Sequence, residues 1–328
     1  MGLGATSPLS KPLVSVCVPT YNRGRFLTRM LASFEASRAA LGGDACQLCV
    51  SDNGSTDDTS EVLQAHARRH GHLKFQRQPE NLGFGRNLYA SARLAETDYI
   101  YFCGDDDTFR PESLRALLAF AAAQHDLVLC NSHPDFNADK ASVPRGATVR
   151  LSSPADYFRT VGAFHASFIG NLFFRREVFL GIDPGRALDQ SAYPHMVAVL
   201  QALARGNSAF ANVEVVDFAV TERLWVGLQS VYTAVDLARV ITENVDWTHE
   251  PALAKTVYRR LARSLPKAVW TNWRLGRLTT DNPYSSASLR NLRAIYRPVP
   301  WPGLLAVCRP PVAARMTRCL SVPPPPAS

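Results

Sequence analysis

The segment YIYFCGDDD, from Tyr99 to Asp107, predicts a buried strand that leads directly into three consecutive carboxylates. Adjacent negative charges repel one another, so a cation is expected to offset them. Mg²⁺ and Mn²⁺ prefer oxygen ligands and commonly keep waters and substrate phosphates, so one or two carboxylates suffice for a site that bridges phosphates. Alternatively, the acids solvate a turn before a helix opened by Pro111, since Asp is common in turns and favourable near helix N-termini. This segment alone leaves both interpretations open.

Three segments upstream repeat the pattern of an apolar run followed by a polar loop. The runs cover residues 13–19, 47–50 and 73–75, and the loops read PTYN (19–22), SDNGSTDDT (51–59) and NLGFGRN (81–87). A helical pattern follows each loop. Strands alternating with helices predict an α/β fold with a mainly parallel sheet covered on both faces. Because ligands bind beyond the carboxyl ends of such strands, we expect the four polar motifs to gather at one edge of the sheet.

In this order, PTYN, SDNGSTDDT, NLGFGRN and GDDD (104–107) resemble the motifs of family 2 of the inverting glycosyltransferases. The family has the GT-A fold, a Rossmann-like, mainly parallel sheet flanked by helices. The GDDD form is similar to a branch of abequosyltransferase-like enzymes of bacterial O-antigen and surface-polysaccharide assembly. The resemblance is specific over residues 13 to 130 and extends to residue 220. It implies metal-dependent transfer of a sugar from a nucleotide-diphosphate donor to a hydroxyl of a bacterial surface glycan, such as O-antigen or capsule.

By position, the resemblance implies a set of residues that surrounds the nucleotide diphosphate of the donor. Its members are Pro19, Thr20, Tyr21, Asn22, Asp52, Asn81, Gly83, Arg86, Asp105 and Asp106. In this set, the backbone around Thr20 would cradle the nucleotide, Asp52 would hydrogen-bond the base, and Arg86 would lie beside the phosphates. UDP- and CDP-linked sugars are the expected donors, and the sequence leaves the choice between them open.

The metal ligands implied by the resemblance are Asp105, Asp106 and Asp107, with Mg²⁺ or Mn²⁺ as the ion. If the segment is aligned on the family's more usual LDxDD form, Gly104 stands at the first acidic position, and Asp106 and Asp107 take the later ones. Read as Asp-x-Asp, the pair is Asp105 and Asp107. The sequence leaves both registers open, and Asp107 belongs to each.

The resemblance also implies a base that deprotonates the acceptor hydroxyl. In the family this is usually an Asp at the start of a helix, eleven residues before the Gly that ends it. Residues 188–205 have helical spacing with a stop at Gly206, which places His195 at the base position, and Pro194 suits a first helical turn. A helix N-terminus disfavours imidazolium and so favours the neutral form that a base requires. Asp189 is the alternative base. Its side chain could instead serve only as a helix cap.

Acceptor contacts are expected from residues 165–195. Candidates are His165, Asn171 and Arg175, although each could equally be a structural polar residue. Residues 168–174 are predicted to form a strand beneath the active site. Residues 131–153 are predicted to be a loop-rich crossing between the two halves of the domain.

With 328 residues, 46% of them hydrophobic, the chain can bury a substantial core. Five segments are predicted: an N-terminal tail (1–12), a nucleotide-sugar-binding half (13–130), an acceptor-binding half (131–220), a helical basic extension (221–320) and a Pro-rich disordered tail (321–328). No signal peptide is recognised, and the seven scattered cysteines suit a reducing cytoplasm.

The net charge of +8 is concentrated near the C-terminus. Residues 251–320 contain thirteen Lys and Arg against the single acid Asp281, together with Trp270, Trp273 and Trp301. No apolar run approaches the ~20 residues that span a bilayer. We expect peripheral attachment to the anionic cytoplasmic membrane face, which suits the polyprenyl-diphosphate-linked acceptors of many relatives. The alternative is a solvated basic helix pair, with residues 251–273 as its first helix.

Other functions and sites receive less support. A sugar-phosphate nucleotidyltransferase would need a Gly-rich, Arg- and Lys-bearing loop where this chain has PTYNRGR. A noncatalytic nucleotide-sugar or nucleic-acid binding protein is favoured by the basic segment alone, and no nucleic-acid partner is expected. His66, His70 and His72 lie near two arginines at a predicted helix end, which we interpret as a solvated surface rather than a metal site.

Overall fold

An eight-stranded sheet forms the centre of the computed structural model, which describes residues 13–42, 45–132, 143–218 and 232–263. Its strands are β1 (Val14–Thr20), β2 (Cys46–Asp52), β3 (Leu73–Arg77), β4 (Tyr99–Phe102), β6 (Leu127–Leu129), β7 (Thr148–Leu151), β8 (Leu172–Arg175) and β9 (Ser208–Ala211). The strand order is β3-β2-β1-β4-β8-β6-β9-β7. A separate antiparallel pair joins β5 (Thr108–Phe109) to β10 (Val216–Asp217).

The helices cover both faces of this sheet. They are α1 (Gly24–Leu41), α2 (Thr59–Ala67), α3 (Phe84–Arg93), α4 (Ser113–Ala122), α5 (Pro154–Thr160), α6 (Arg176–Gly181), α7 (Ala187–Gln190), α8 (His195–Ala204), α9 (Ala238–Asn244) and α10 (Pro251–Ala262). The first four strands of the order are parallel, β6 pairs in parallel with β9, and β8 and β7 run antiparallel to their neighbours. The predicted α/β architecture with a mainly parallel sheet is confirmed.

Two apolar layers pack against the sheet because alternate residues of a strand face opposite sides. Cys17 of β1 belongs to the layer that contains α3, α6 and α8, with Leu88 and Phe179. Val16 and Val18 of the same strand belong to the layer that contains α1, α2 and α4. Burial on both faces explains why β1, β2 and β4 read as continuous apolar runs.

Two predicted elements differ from those in the structure. The helix predicted over residues 188–205 is two helices, α7 and α8, separated by residues 191–194. Pro194 breaks it because proline lacks an N–H donor and disfavours helical geometry in the residue before it. The Asp236 carboxylate stabilises the break by accepting hydrogen bonds from Ser191 Oγ at 2.8 Å and from the Ala192 N–H at 2.7 Å. The strand predicted over residues 168–174 is β8, and the preceding residues form two 3-10 turns.

Several predictions fall outside the described residues. They are the tail 1–12, part of the crossing 131–153, Trp270, Trp273 and Trp301, and the Pro-rich tail 321–328. Of the helix predicted over 251–273, the structure describes α10, whose Tyr258 and Leu261 are buried in the core. In the parts of the chain that the structure describes, no helix is both long and apolar enough to span a membrane. The five-segment division stays a prediction.

Asn87 in α3 ties the ends of the first two strands together. Its side-chain amide donates to the carbonyl of Thr20 at 3.2 Å and to that of Ser51 at 3.0 Å, and the residue is 2% exposed. We expect Asn87→Ala to lower the free energy of unfolding by about 2 kcal/mol, because two buried hydrogen bonds are lost. Urea denaturation measures this, with the exposed α2 residue Gln64→Ala as control. Equal stability of the two variants would contradict the prediction.

Candidate active site

The four polar motifs lie together at the carboxyl edge of β2, β1 and β4. Thr20, the last residue of β1, pairs with Asp52, the last residue of β2, and Cys17 pairs with Phe102, the last residue of β4. Since these strands are parallel, the loops that follow them leave the sheet on the same side. The expected convergence is therefore found.

The first two loops bind each other directly. The Asn22 N–H donates to Ser55 Oγ at 2.8 Å, and the Thr56 N–H donates to Asn22 Oδ1 at 2.7 Å. Asn22 has a φ of 53°, in the left-handed region that Asn tolerates better than most residues. Tyr21 beside it is 40% exposed. This junction fixes the backbone that was predicted to cradle a nucleotide and leaves the Tyr21 ring open to solvent.

Asp52 is fully buried and organises the second loop. Its Oδ1 accepts from the Ser55 N–H at 3.0 Å, and its Oδ2 accepts from Ser60 Oγ at 2.8 Å. Arg77 Nε lies 3.6 Å from the same Oδ2. The carboxylate therefore shapes the second loop, and the predicted contact between Asp52 and a base stays a prediction.

The third loop is held by Asn53, which sequence reasoning missed. Its Nδ2 donates to Asn81 Oδ1 at 2.8 Å, and its Oδ1 accepts from the Leu82 N–H at 2.9 Å. Gly83 follows with a φ of 84°, a conformation that favours glycine, and α3 begins at the next residue. The N-terminus of α3 therefore opens at this edge, where its N–H groups and dipole favour an anion.

In the fourth motif, Asp105 contacts the first loop. Its Oδ2 accepts from Thr20 Oγ1 at 2.8 Å, and its Oδ1 lies 3.3 Å from Arg23 Nε. Arg23 also forms an ion pair with Asp106. Burial raises the pKa of the Asp105 carboxyl to about 6, against the opposing effect of the Arg23 guanidinium. Arg23, which is absent from the predicted set, thus supplies positive charge beside two carboxylates of the acidic motif.

Asp107 is 1% exposed and lies against two glycines. Its Oδ2 accepts from the Gly104 N–H at 3.1 Å, and a Cβ added to Gly170 would lie 3.3 Å from the same oxygen. The three carboxylates thus face different neighbours. Two of them, Asp105 and Asp107, are buried oxygen donors at the same sheet edge as the N-terminus of α3, and burial penalises the charge of Asp105. This donor set fits a hard divalent cation.

Arg86 and Asp189 form an ion pair across the site. Arg86 Nε and Nη2 donate to the two oxygens of Asp189 at 2.6 and 2.7 Å, and both side chains are about half exposed. The hydrogen bond from Arg86 lowers the pKa of Asp189. Asp189 lies inside α7 and pairs with Arg86, so the helix-cap interpretation is wrong. Helix α7 also packs closely on α3, since a Cβ on Gly85 would lie 2.3 Å from the Leu188 carbonyl oxygen.

His195 is the first residue of α8, as predicted, and is 1% exposed. Its Nε2 lies 3.2 Å from the Ser167 carbonyl oxygen, which can only accept, so Nε2 carries the proton. Its Nδ1 is buried without a hydrogen-bond partner among the described residues. Burial lowers the pKa of His195 to about 4, although the carbonyls of Ser167 and Ala166 oppose the shift. The ring is therefore neutral at pH 7.

The three acceptor candidates lie in different places. Asn171 is fully buried and holds the backbone, accepting from the Ser132 N–H and donating to the His165 carbonyl. His165 is 1% exposed and contacts the Phe210 ring edge-on. For Arg175, predicted as either an acceptor contact or a structural residue, the structure favours the structural role. Arg175 pairs with Tyr99 at the amino end of β4, the opposite edge of the sheet from the acidic motif, and contacts Asp126.

A family model, Glycosyl transferase family 2, matches residues 15–183, about half of the chain and the whole of this four-loop edge. The chain belongs to glycosyl transferase family 2. This confirms the family resemblance of the four motifs. A curated relative, abequosyltransferase RfbV of Salmonella typhimurium, is 28% identical over 204 residues, which cover 57% of this chain and 60% of the relative. The chain therefore spans less than two thirds of this relative's length.

Solved structures share the fold of this family 2 chain. TarS 1-349 of S. aureus in complex with UDP has a TM-score of 0.54 and 16% identity, covering 94% of this chain and 87% of that one. Mannosyltransferase PcManGT of Pyrobaculum calidifontis, in complex with GDP-Man and Mn²⁺, has a TM-score of 0.56 and 18% identity, covering 97% and 87%. At this identity the likeness shows the GT-A fold alone.

The depressed pKa of His195 predicts a loss of stability in mild acid. Between pH 6.5 and 4 the unfolded chain protonates this imidazole and the folded chain does not, so falling pH favours unfolding. From pH 7.5 to 5 we expect this group to remove about 2 kcal/mol from the free energy of unfolding. Urea denaturation at both pH values should show a smaller loss for His195→Gln than for the wild type. Equal losses would contradict the buried neutral imidazole.

Proposed function

We propose that this chain is a metal-dependent inverting glycosyltransferase that moves a sugar from a nucleotide-diphosphate donor to a hydroxyl of a bacterial surface glycan. The observation that carries the proposal is the joining of four family motifs at one sheet edge, where buried carboxylates meet a helix N-terminus. Carboxylates repel a diphosphate, and the helix N-terminus attracts it. A divalent cation between the carboxylates and the diphosphate would replace this repulsion by attraction to both groups.

For the donor side, we propose Asp107 with Asp105 or Asp106 as metal ligands and Mg²⁺ or Mn²⁺ as the ion. A cation bound there would offset charge on the departing diphosphate. Thr20 and Arg23 orient the Asp105 carboxylate. Arg86, held by Asp189 near the start of α3, adds a positive charge on the same side of the site, where it would stabilise developing negative charge.

For the acceptor side, we propose His195 as the base. A base needs an unprotonated atom, and the hydrogen bond from Nε2 to Ser167 leaves Nδ1 as that atom. An acceptor hydroxyl can reach Nδ1 only after the packing around the buried ring opens, with Phe84 and Tyr193 among its neighbours. Asp189 is exposed and is the alternative base, but its pairing with Arg86 lowers its pKa and better suits a positioning role.

The donor and acceptor are inferred from chemistry and relatives. UDP- and CDP-sugars remain the proposed donors, and complexes of fold neighbours contain UDP and GDP-Man. The abequosyltransferase relative supports a glycan acceptor of the O-antigen type, which we propose to be linked to polyprenyl diphosphate. The excess of Lys and Arg in residues 251–320 supports peripheral attachment at an anionic membrane surface on the cytoplasmic side. Family membership favours glycosyl transfer over a nucleotidyltransferase and over a noncatalytic binding protein.

Donor recognition is tested by thermal stabilisation with UDP, CDP, GDP and dTDP, each with and without Mn²⁺. A ligand that binds the folded state raises its apparent stability, by about 2.7 kcal/mol at one hundred times Kd. We expect one nucleotide to stabilise the chain in the presence of Mn²⁺, with the effect lost in Asp107→Asn. Stabilisation by none of the four would contradict the donor site.

The base is tested by kinetics of sugar transfer in two variants. His195→Gln should lower kcat by about 10²–10⁴-fold, the usual contribution of general base catalysis, while nucleotide binding is kept. Asp189→Asn should mainly raise KM for the donor, because it releases Arg86. The exposed His249→Ala serves as control. A near-normal kcat in His195→Gln together with a lowered kcat in Asp189→Asn would indicate that Asp189, and not His195, is the base.

A further inference from the structure

Three histidines and a glutamate converge on the surface layer formed by α1 and α2. Glu35 Oε1 lies 3.0 Å from His66 Nε2 and 2.7 Å from His72 Nε2, and Glu35 Oε2 lies 3.5 Å from His70 Nδ1. One atom from each of the four side chains lies within 4.8 Å of the other three. The sequence, in which the histidines lie near two arginines at a helix end, predicts a solvated surface here. The structure brings the Glu35 carboxylate from α1, 31 to 37 residues away.

The backbone holds the histidines in place. The His70 N–H donates to the His66 carbonyl at 3.0 Å, so the two residues lie one helical turn apart on one face. His72 directly precedes β3, and its carbonyl accepts from the Leu48 N–H at 3.1 Å. His66 lies in α2 and His70 three residues beyond the end of α2, so the hydrogen bond between them gives the pair the i, i+4 spacing of the two histidines in a helical zinc-binding motif. His72 is thus held beside the sheet, just before β3, and Glu35 is held by α1.

The four side chains are also placed so that an ion could reach them. The side chains are 11–33% exposed, so an ion can enter from solvent and still be largely enclosed.

We propose that Glu35, His66, His70 and His72 form a Zn²⁺ site that is separate from the active site. Imidazole suits Zn²⁺, whereas Mg²⁺ and Mn²⁺ prefer oxygen ligands, so the ion here differs from that proposed for the acidic motif. In a tetrahedral site with bonds of 2.0–2.1 Å, ligand atoms lie roughly 3.3 Å apart. The distances from Glu35 to the three nitrogens, 2.7 to 3.5 Å, already bracket this value. Four protein ligands leave no open position, which is typical of a structural site.

The proposed site lies at the opposite edge of the sheet from the four loops. His72 precedes the amino end of β3, and Glu35 and His66 lie in the later parts of α1 and α2. These two helices begin in the loops that surround Asn22 and Asp57, where the Gly24 N–H donates to Asp57 Oδ2 at 3.2 Å. A bound ion would therefore brace the helices that carry the donor loops, without touching a substrate. The inference does not rest on the proposed glycosyl transfer.

The test is a Zn²⁺ titration of the tag-free, metal-stripped full chain in excess Mg²⁺, against a chromogenic chelator. We expect one equivalent of tightly bound Zn²⁺ and a rise in melting temperature. Co²⁺ in its place should show the visible absorption of a four-coordinate ion. His66→Ala and His70→Ala should each weaken Zn²⁺ binding by more than roughly tenfold, since loss of an outer-shell partner alone costs 10–100-fold.

Matched control variants distinguish Zn²⁺ binding at this cluster from Zn²⁺ binding elsewhere on the chain. His249→Ala removes an exposed histidine outside the cluster, and Asp107→Asn alters the acidic motif, so both should keep the tight equivalent. His70→Gln replaces the most exposed of the three histidines and is therefore the substitution expected to disturb the fold least. Circular dichroism checks that the variant is folded. Absence of tight Zn²⁺ binding in the wild type would overturn the proposal. So would unchanged binding in His66→Ala and His70→Ala, or loss of the equivalent in Asp107→Asn.

Discussion

Burial of negative charge at the end of β4 is the constraint on which the functional edge of this protein depends. Carboxylates are rarely buried without a partner, because loss of hydration penalises the charged form. Here Asp105 receives a hydrogen bond from Thr20 at the end of β1 and an ion pair from Arg23 at the start of α1. The neighbouring strand and helix therefore hold the acidic motif in place, and the same contacts bring the first and fourth loops together.

A network of polar side chains spreads this arrangement over the other loops. Asn87 ties α3 to the ends of β1 and β2, and Asn53 ties the second loop to the third. The partners of Asn87 are carbonyls at the ends of β1 and β2, and Asn53 accepts from the Leu82 N–H in the third loop. As a result, side-chain hydrogen bonds connect the loops that follow four strands. These bonds fix the positions of the loops relative to one another.

The segment that we propose for the acceptor side contains a break between two helices rather than one continuous helix. Residues 191–194 separate α7 from α8 and are held by the buried Asp236. The break lets α7 bring Asp189 to Arg86 while α8 begins with His195 in the core. Two titratable groups a few residues apart thus lie in opposite environments. Solvent and Arg86 keep Asp189 ionised, and burial keeps His195 neutral.

The sequence by itself determined the α/β class, the succession of the first four strands and their helices, and the convergence of the four motifs. These follow from local apolar periodicity and from the rule that parallel strands end at one edge. The family followed from the resemblance of the four motifs, which are also short segments. The tertiary structure decided contacts between residues far apart in the chain, such as Arg23 with Asp105, Arg86 with Asp189, and Glu35 with the histidines between the end of α2 and the start of β3. It also decided the burial of His195 and the position of Arg175 at the amino edge of the sheet, away from the acidic motif. Periodicity indicates which face of an element is apolar, but only packing determines which distant side chain lies opposite it.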